Sequence, residues 1–224
     1  IDKNYLDNLI AYNRLIKQRN TYLKSLSSIE NLDRNHLKVY DEKLIKLNYY
    51  INDFRKEELK KFGKTFNKIS SELNNSKDHF NILYSSNFNE KMSHEVFEKY
   101  LEKDFYTKKT NIGIHNDDYI FKMNNKLIKR IGSQGQQKTF IISLKLSEFY
   151  LLKEKLLITP IILLDDIFHK LDDIKIKILI NYILKDEFSQ IFISDSIEDR
   201  LNEIKKIIKQ VKIINIDKGK INEE

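Results

Sequence analysis

The chain has 224 residues, 41% of them hydrophobic and 33% charged, which fits a folded, helix-rich protein with one large core or two small ones and excludes a disordered chain. It contains no cysteine, which excludes disulfides and thiolate metal sites and predicts a cytoplasmic setting; its apolar runs are strand-length, as at 161–164, so none can cross a bilayer as a helix. The net charge of +7 favours a polyanionic partner such as nucleic acid, although lysine, isoleucine and asparagine are all abundant, as a coding bias would also produce.

Residues 1–76 read as helical. Leu9, Tyr12, Ile16, Leu23 and Leu26 recur near helical spacing, and Asn31-Leu32-Asp33 offers a helix start ahead of a longer stripe. There Leu37, Tyr40, Leu44, Leu47, Ile51 and Phe54 alternate in steps of three and four, the seam of a coiled-coil-like antiparallel hairpin. The phase slips by one residue and resumes at Phe62, Phe66, Ile69 and Leu73. A core stripe explains these side chains better than a binding role does.

Beyond them, 80–84 reads as a strand and 95–101 as a helix. Residues 111–115 and 119–123 read as further extended runs, with Asn124-Asn125 as a hairpin turn. From there helix 136–155, strand 161–164, helix 174–184, strand 190–194, helix 198–208 and strand 211–216 alternate. Apolar strands separated by helices predict a mostly parallel sheet covered on both faces. The expected fold is α/β (α+β overall), with a helical lobe and connector over 1–109 and an α/β part over 110–224.

Two segments carry chemistry. In the turn Gly132-Ser133-Gln134-Gly135-Gln136-Gln137-Lys138-Thr139, a helix begins whose free N–H groups and dipole suit an anion. Gly135 permits close approach of a phosphate, and Ser133 supplies a hydroxyl; a plain helix cap would explain the serine but not the Gln-Gly-Gln-Gln cluster. The second segment is the apolar run at 161–164 ending in Asp165 and Asp166. Nucleotide hydrolysis needs a carboxylate for Mg²⁺ and a group that orients or deprotonates water. Asp165 fits the first role and Asp166 the second, whereas capping of the next turn is the plainer reading. Leu171-Asp172-Asp173 follows closely; Asp172 is an N-cap, a site residue, or both.

These residues, with Leu144-Lys145-Leu146-Ser147-Glu148 and Pro160 ahead of the acidic strand, closely resemble the RecF family of bacterial recombination mediators, ABC-type ATPases related to SMC heads. Gly113-Ile114-His115-Asn116-Asp117-Asp118 looks like the family's Gly-Pro-His-Arg-Asp-Asp stretch. The segment 12–20, Tyr-Asn-Arg-Leu-Ile-Lys-Gln-Arg-Asn, looks like its first lobe helix. The resemblance therefore covers nearly the whole chain.

It implies that Ser133, Gln134, Gly135, Gln136 and Gln137 form the signature motif, which contacts the γ-phosphate of ATP bound by the other subunit of a dimer. Asp165 matches the aspartate on Mg²⁺, Asp166 the catalytic carboxylate, and Leu171-Asp172 the D-loop at the dimer interface. Ser194 and Asp195 fall at the switch position. Implied partners are double-stranded and gapped DNA, a second copy in an ATP-dependent homodimer, and other recombination mediator proteins, with no membrane. The implied activity is a DNA clamp in replication, recombinational repair and the SOS response. An SMC-type tethering head is the alternative, disfavoured by the short helical stripe.

Departures are Ile114 for proline, Asn116 for arginine, and His169-Lys170 for small and acidic residues. A Gly-x-x-x-x-Gly-Lys-Ser/Thr phosphate loop does not occur in the sequence, and the first residue is Ile1. The expectation is a C-terminal portion lacking the phosphate-loop half, inactive by itself.

Overall fold

Aspartates start the first two helices. Asp2 accepts from the Tyr5 N–H at 2.8 Å ahead of α1 (Lys3–Ser25). Asp33 accepts from the N–H groups of Asn35 and His36 at 2.9 and 3.1 Å ahead of α2 (Arg34–Leu73). Each oxygen satisfies donors that a first helical turn leaves unpaired. The computed structural model to which these helices belong describes residues 2–74, 78–87, 93–168, 171–185, 188–197 and 211–222. The expected helix at 198–208 and the pair His169-Lys170 lie outside the described residues.

The chain divides into two compact units, Ile1–Lys68 with His79–Ile131 and Ile69–Asp78 with Gly132–Glu224. Residues 110–131 thus belong with the helical lobe rather than with the α/β part, where the sequence division puts them.

In the first unit α1 and α2 run antiparallel: Tyr5 stacks on Phe54, Arg19 meets Asp41, and the Asp33 N–H donates to Tyr22 Oη. Leu37, Leu44 and Ile51 are buried, and after the phase slip so is Phe66, along an uninterrupted 40-residue helix whose buried Ile69 and Leu73 belong to the second unit. Against Tyr12, Leu44 and Ile51 lie Phe97 of α3 (His94–Thr107) and the loop residues Ile112 and Ile114. Strands β1 (Phe80–Ser85) and β2 (Asp118–Met123) pair antiparallel, from Phe80 opposite Met123 to Ser85 opposite Asp118. Asn124 and Asn125 both adopt left-handed backbone, φ 49° and 64°, the turn that suits strand twist, and lead into β3 (Lys126–Leu127) and the short helix α4 (Ile128–Ile131).

Residues 111–115 form no strand. They run irregularly into a 3₁₀ turn, Ile114–Asn116. Ile112 and Ile114 alternate because both enter the helical core, and side chains rather than a ladder take the backbone donors. The N–H groups of Thr110, Asn111 and Ile114 donate to Asn20, Asp104 and Asn48 at 2.7, 2.8 and 2.9 Å.

Arg19 organises this region. It is wholly buried and donates to Asp41 Oδ1 at 2.8 Å, Asp104 Oδ2 at 2.6 Å and Thr110 Oγ1 at 3.0 Å, with Nη2 buried and unpartnered. Burial pushes the Asp41 carboxyl up from its ordinary pKa, and the Arg19 charge opposes that rise.

In the second unit α5 (Gln134–Leu156), β4 (Ile162–Leu164), α6 (Asp173–Ile183) and β5 (Ile191–Ile193) follow in order. Strands β4 and β5 are parallel, with Leu164 opposite Ile193, as a helical crossover allows. Ile162 and Leu164 enter a core with Leu146, Phe149, Phe168 and Leu179. The parallel pairing is as expected, whereas the expected cover on both faces is corrected here. Leu163 is 74% exposed and Phe192 is also exposed, so among the described residues one face is bare. The expected strand 211–216 is instead β6 (Asn215–Asp217), which pairs antiparallel with β7 (Lys220–Asn222). The two join through Lys218 and Gly219, both at positive φ, and such a turn makes a hairpin rather than a crossover.

Arg19→Met would leave Asp41 and Asp104 buried without their cation. The expected loss is roughly 3–5 kcal/mol, read as a lower urea midpoint; an unchanged midpoint contradicts the central role of Arg19.

Candidate functional site

Helix α5 begins with a reciprocal cap. Ser133 Oγ accepts from the Gln136 N–H at 3.2 Å, and Gln136 Oε1 accepts from the Ser133 N–H at 2.8 Å. Both bonds satisfy donors that would otherwise be free. Gln136 Nε2 donates to Asp78 Oδ2 and Gln137 Nε2 to the Gly132 carbonyl, each at 2.8 Å. Gly135 sits in the first turn, its carbonyl accepting from Thr139 Oγ1 at 2.8 Å. Ser133 and Gln134 are exposed. An anion at this end meets an outward helix N-terminus and competes with the Ser133 hydroxyl for the Gln136 N–H.

The second element is the carboxyl end of the parallel pair. The Ser194 N–H donates to the Leu164 carbonyl at 3.0 Å, extending the ladder past both strands. That step brings the Ser194 hydroxyl onto Asp165 Oδ1 in a short hydrogen bond. The Asp166 N–H donates to the same hydroxyl oxygen at 3.2 Å. Asp166 itself is left-handed, φ 46°, a conformation that costs a non-glycine residue about 1–2 kcal/mol and that aspartate tolerates better than most. Lys138 Nζ donates to the Asp166 carbonyl at 2.6 Å. Immediately beyond, Ile167 and Phe168 are buried in the core.

Asp165 and Asp166 are exposed, and Asp165 stands at the rim of a groove of about 400 Å³ between α5 and β4, walled by Ile141, Phe149, Ile161 and Leu163. Asp172 caps α6 by accepting from the Lys175 N–H at 2.8 Å, with Lys175 Nζ 3.7 Å from its other oxygen. Asp195 accepts from the Ile197 N–H at 2.8 Å, within its own turn. The fold thus brings together Asp165, Asp166 and Ser194. Asp172 serves as the cap of α6 and Asp195 accepts within its own turn.

Among the described residues no three His, Asp or Glu side chains converge as a metal cage. Magnesium in nucleotide sites needs none, because it takes one or two carboxylates and completes its shell with phosphate oxygens and water. Asp165 and the Ser194 hydroxyl are hard oxygen donors of that kind.

The loop 113–118 is a third built feature, in the first unit. Gly113 has φ 129°, and a Cβ there would lie 2.4 Å from Tyr12 Oη. The Tyr12 hydroxyl meets His115 Nδ1 at 2.6 Å, and His115 Nε2 meets the Thr110 carbonyl at 2.9 Å. A tyrosine donor on Nδ1 and a carbonyl on Nε2 assign the neutral Nε2–H tautomer. Asp117 accepts from Tyr84 and Ser86 in short hydrogen bonds and from Arg55 Nη1 at 2.9 Å.

No family model matches the chain. Individual proteins do. It is 40% identical over 223 residues to the DNA replication and repair protein RecF of Cytophaga hutchinsonii, covering 99% of this chain and 59% of that protein. Against the Flavobacterium johnsoniae protein of the same name the figures are 36% over 217 residues, 96% and 60%. A solved structure of the recombination mediator RecF with ATP, from the RecFOR pathway, superposes with TM-score 0.77 at 27% identity, covering all of this chain and 59% of that one. Over nearly its whole length the chain is similar to RecF.

It spans about 60% of the length of the RecF relatives it matches. The match extends through the helical unit as well as the site-bearing one, which accounts for the loop 113–118. The RecF pattern has proline where Ile114 stands, and here the Ile114 N–H donates to Asn48 Oδ1 at 2.9 Å, a bond proline cannot make. Asn116, in place of arginine, donates to the Asn111 carbonyl at 3.0 Å. Sequence reasoning leaves His115 without a role; its place between Tyr12 and Thr110 supplies one in holding the loop. Lys138 is the other residue missed, since a lysine in an exposed-looking helix turn gives no signal of its carbonyl partner.

Burial holds His115 below its ordinary pKa of 6.5, with the Thr110 bond opposing. The unfolded chain therefore takes up this proton first as pH falls. Stability should decline on acidification below about 6.5 until the folded pKa is reached. Melting temperatures between pH 7.5 and 5.5 should show that slope, and His115→Gln should flatten it at a lower overall melting temperature. A slope equal in both proteins contradicts this assignment.

Proposed function

We propose that this chain supplies the signature and acidic-strand half of a RecF-type ATPase that acts on DNA in replication and repair, with a phosphate loop contributed by the remaining portion of a RecF-length protein. The observation that carries the reading is the meeting of Asp165, Asp166 and Ser194 at the carboxyl end of β4 and β5. Ligands in open α/β sheets bind outside that end of the strands. The relatives' name, and ATP in the related solved structure, support the same conclusion.

In this reading Asp165, steadied by the Ser194 hydroxyl, holds Mg²⁺, which when bound neutralises charge on the nucleotide phosphates. Asp166 orients or deprotonates the attacking water. Ser133, Gln134, Gly135, Gln136 and Gln137 receive the γ-phosphate of ATP held by a second copy, so the dimer is two-fold and each copy completes the other's site. Asp172 lies at that interface, and Asp195 with Ser194 forms the switch. Duplex and gapped DNA are gripped mainly by lysine on phosphate, a sequence-indifferent and salt-dependent contact, while other mediator proteins and recombinase loading complete the pathway.

The test uses the full-length protein. Asp166→Asn should keep ATP binding and ATP-driven dimerisation while hydrolysis falls roughly 10²-fold or more; unchanged turnover removes Asp166 from its role. Ser133→Arg should abolish ATP-driven dimerisation in sedimentation, with ATP still bound by the monomer. Persistence of the dimer refutes the cross-subunit assignment. DNA affinity should rise with ATP and fall steeply with salt, and a flat response to both refutes the clamp.

A further inference from the structure

We infer that Lys138 is a positioning residue for hydrolysis: it fixes the left-handed turn from which Asp166 projects, and so ties the anion-receiving end of α5 to the acidic end of β4. The role of Asp166 rests on the function proposed above; the role of Lys138 rests on the backbone at that turn.

Asp166 is the one point where the strand reverses into the core. Leu164 before it and Ile167 and Phe168 after it are buried, so the chain is anchored on both sides and the intervening turn takes φ 46°. Both polar groups of the Asp166 backbone are held. Its N–H donates to Ser194 Oγ, and its carbonyl accepts from Lys138 Nζ at 2.6 Å. The first contact comes from the residue that follows β5 and the second from α5. Among the described residues Lys138 is the side chain that holds the Asp166 carbonyl, and with it the plane of the peptide that follows Asp166 and the direction of the carboxylate.

Lys138 lies one residue beyond the Gln-Gly-Gln-Gln cluster. The Gln137 N–H closes the first helical bond on the Ser133 carbonyl at 2.9 Å. A movement of this cap on receiving an anion is therefore passed along one rigid helical turn to Nζ and to the Asp166 carbonyl. A lysine beside a phosphate-binding turn invites the role of phosphate ligand. Here its ammonium is directed at a backbone carbonyl in its own unit instead, and that is a different job with a different kinetic signature.

The test compares steady-state ATP hydrolysis by the full-length protein, by Lys138→Met and by Lys138→Arg, each also combined with Asp166→Asn. Lys138→Met should lower kcat about 10²-fold, the effect of a small misplacement of a reacting group, with KM for ATP within about two-fold. Lys138→Arg, which retains a cationic donor, should recover most of the loss. In the Asp166→Asn background, Lys138→Met should cost nothing more, because a positioning residue acts only through the group it positions. A raised KM with intact kcat would make Lys138 a nucleotide ligand and overturn the inference. So would a further loss on top of Asp166→Asn, or no loss at all. Should Lys138→Met melt early, the arginine variant decides, since failure to restore kcat also overturns it. Asp166→Asn alone with normal turnover would instead defeat the role of Asp166, an outcome visible without any Lys138 variant.

Discussion

The register between β4 and β5 is the constraint on which the acidic end depends. Ile162 and Leu164 face the core while Leu163 faces out, so a slip of one residue would turn Ile162 and Leu164 outward and drive Asp165 toward the core. With Leu164 fixed opposite Ile193, the next residues of the two strands must be Asp165 and Ser194, and their side chains meet. The turn at Asp166 follows in its turn, because Ile167 and Phe168 re-enter the same core two residues after the strand ends. Chemistry at this end is a by-product of apolar order: the strand decides where the carboxylates stand, and polar bonds only trim their direction.

The first unit solves a related problem by another route. Its irregular loop has no sheet neighbour to satisfy it, so polar residues on α1, α2 and α3 do so from their buried faces. Asn20, Asn48, Asp104 and Arg55 each bond the backbone or a side chain of residues 110–117. Buried polar groups cost stability unless paired, and a network of this density fixes one arrangement at the expense of tolerance to change. Arg19 is the extreme case, one cation between two carboxylates with no solvent contact.

Much of this was legible in sequence because it depends on period and on end chemistry. The stripes through Leu37, Leu44 and Ile51 give α2, and Asp33, Ser133 and Asp172 mark the starts of the three helices they cap. Strand 161–164 and its acids were readable because apolar runs of that length have few other uses. The rest depended on contacts distant in sequence. Arg19 looks like any surface arginine until Asp104 is brought to it, and Lys138 until Asp166 is. The alternation of Ile112 and Ile114 imitates a strand because a loop pressed into a helical core also buries every second residue. At 211–216 the apolar run hid its direction, which Lys218 and Gly219 reveal only once both are seen at positive φ.

The outward leucine of β4 has a practical consequence. Leu163, Ile161 and Phe192 present an oily ribbon on a two-stranded sheet that has no further strand partner among the described residues. Strands with unsatisfied borders and apolar flanks recruit one another. Prepared as these 224 residues alone, the polypeptide is inclined to stick to its own copies at high concentration. Swapping the mid-strand leucine for a lysine is the simplest way to keep such samples clear without touching the acids beside it.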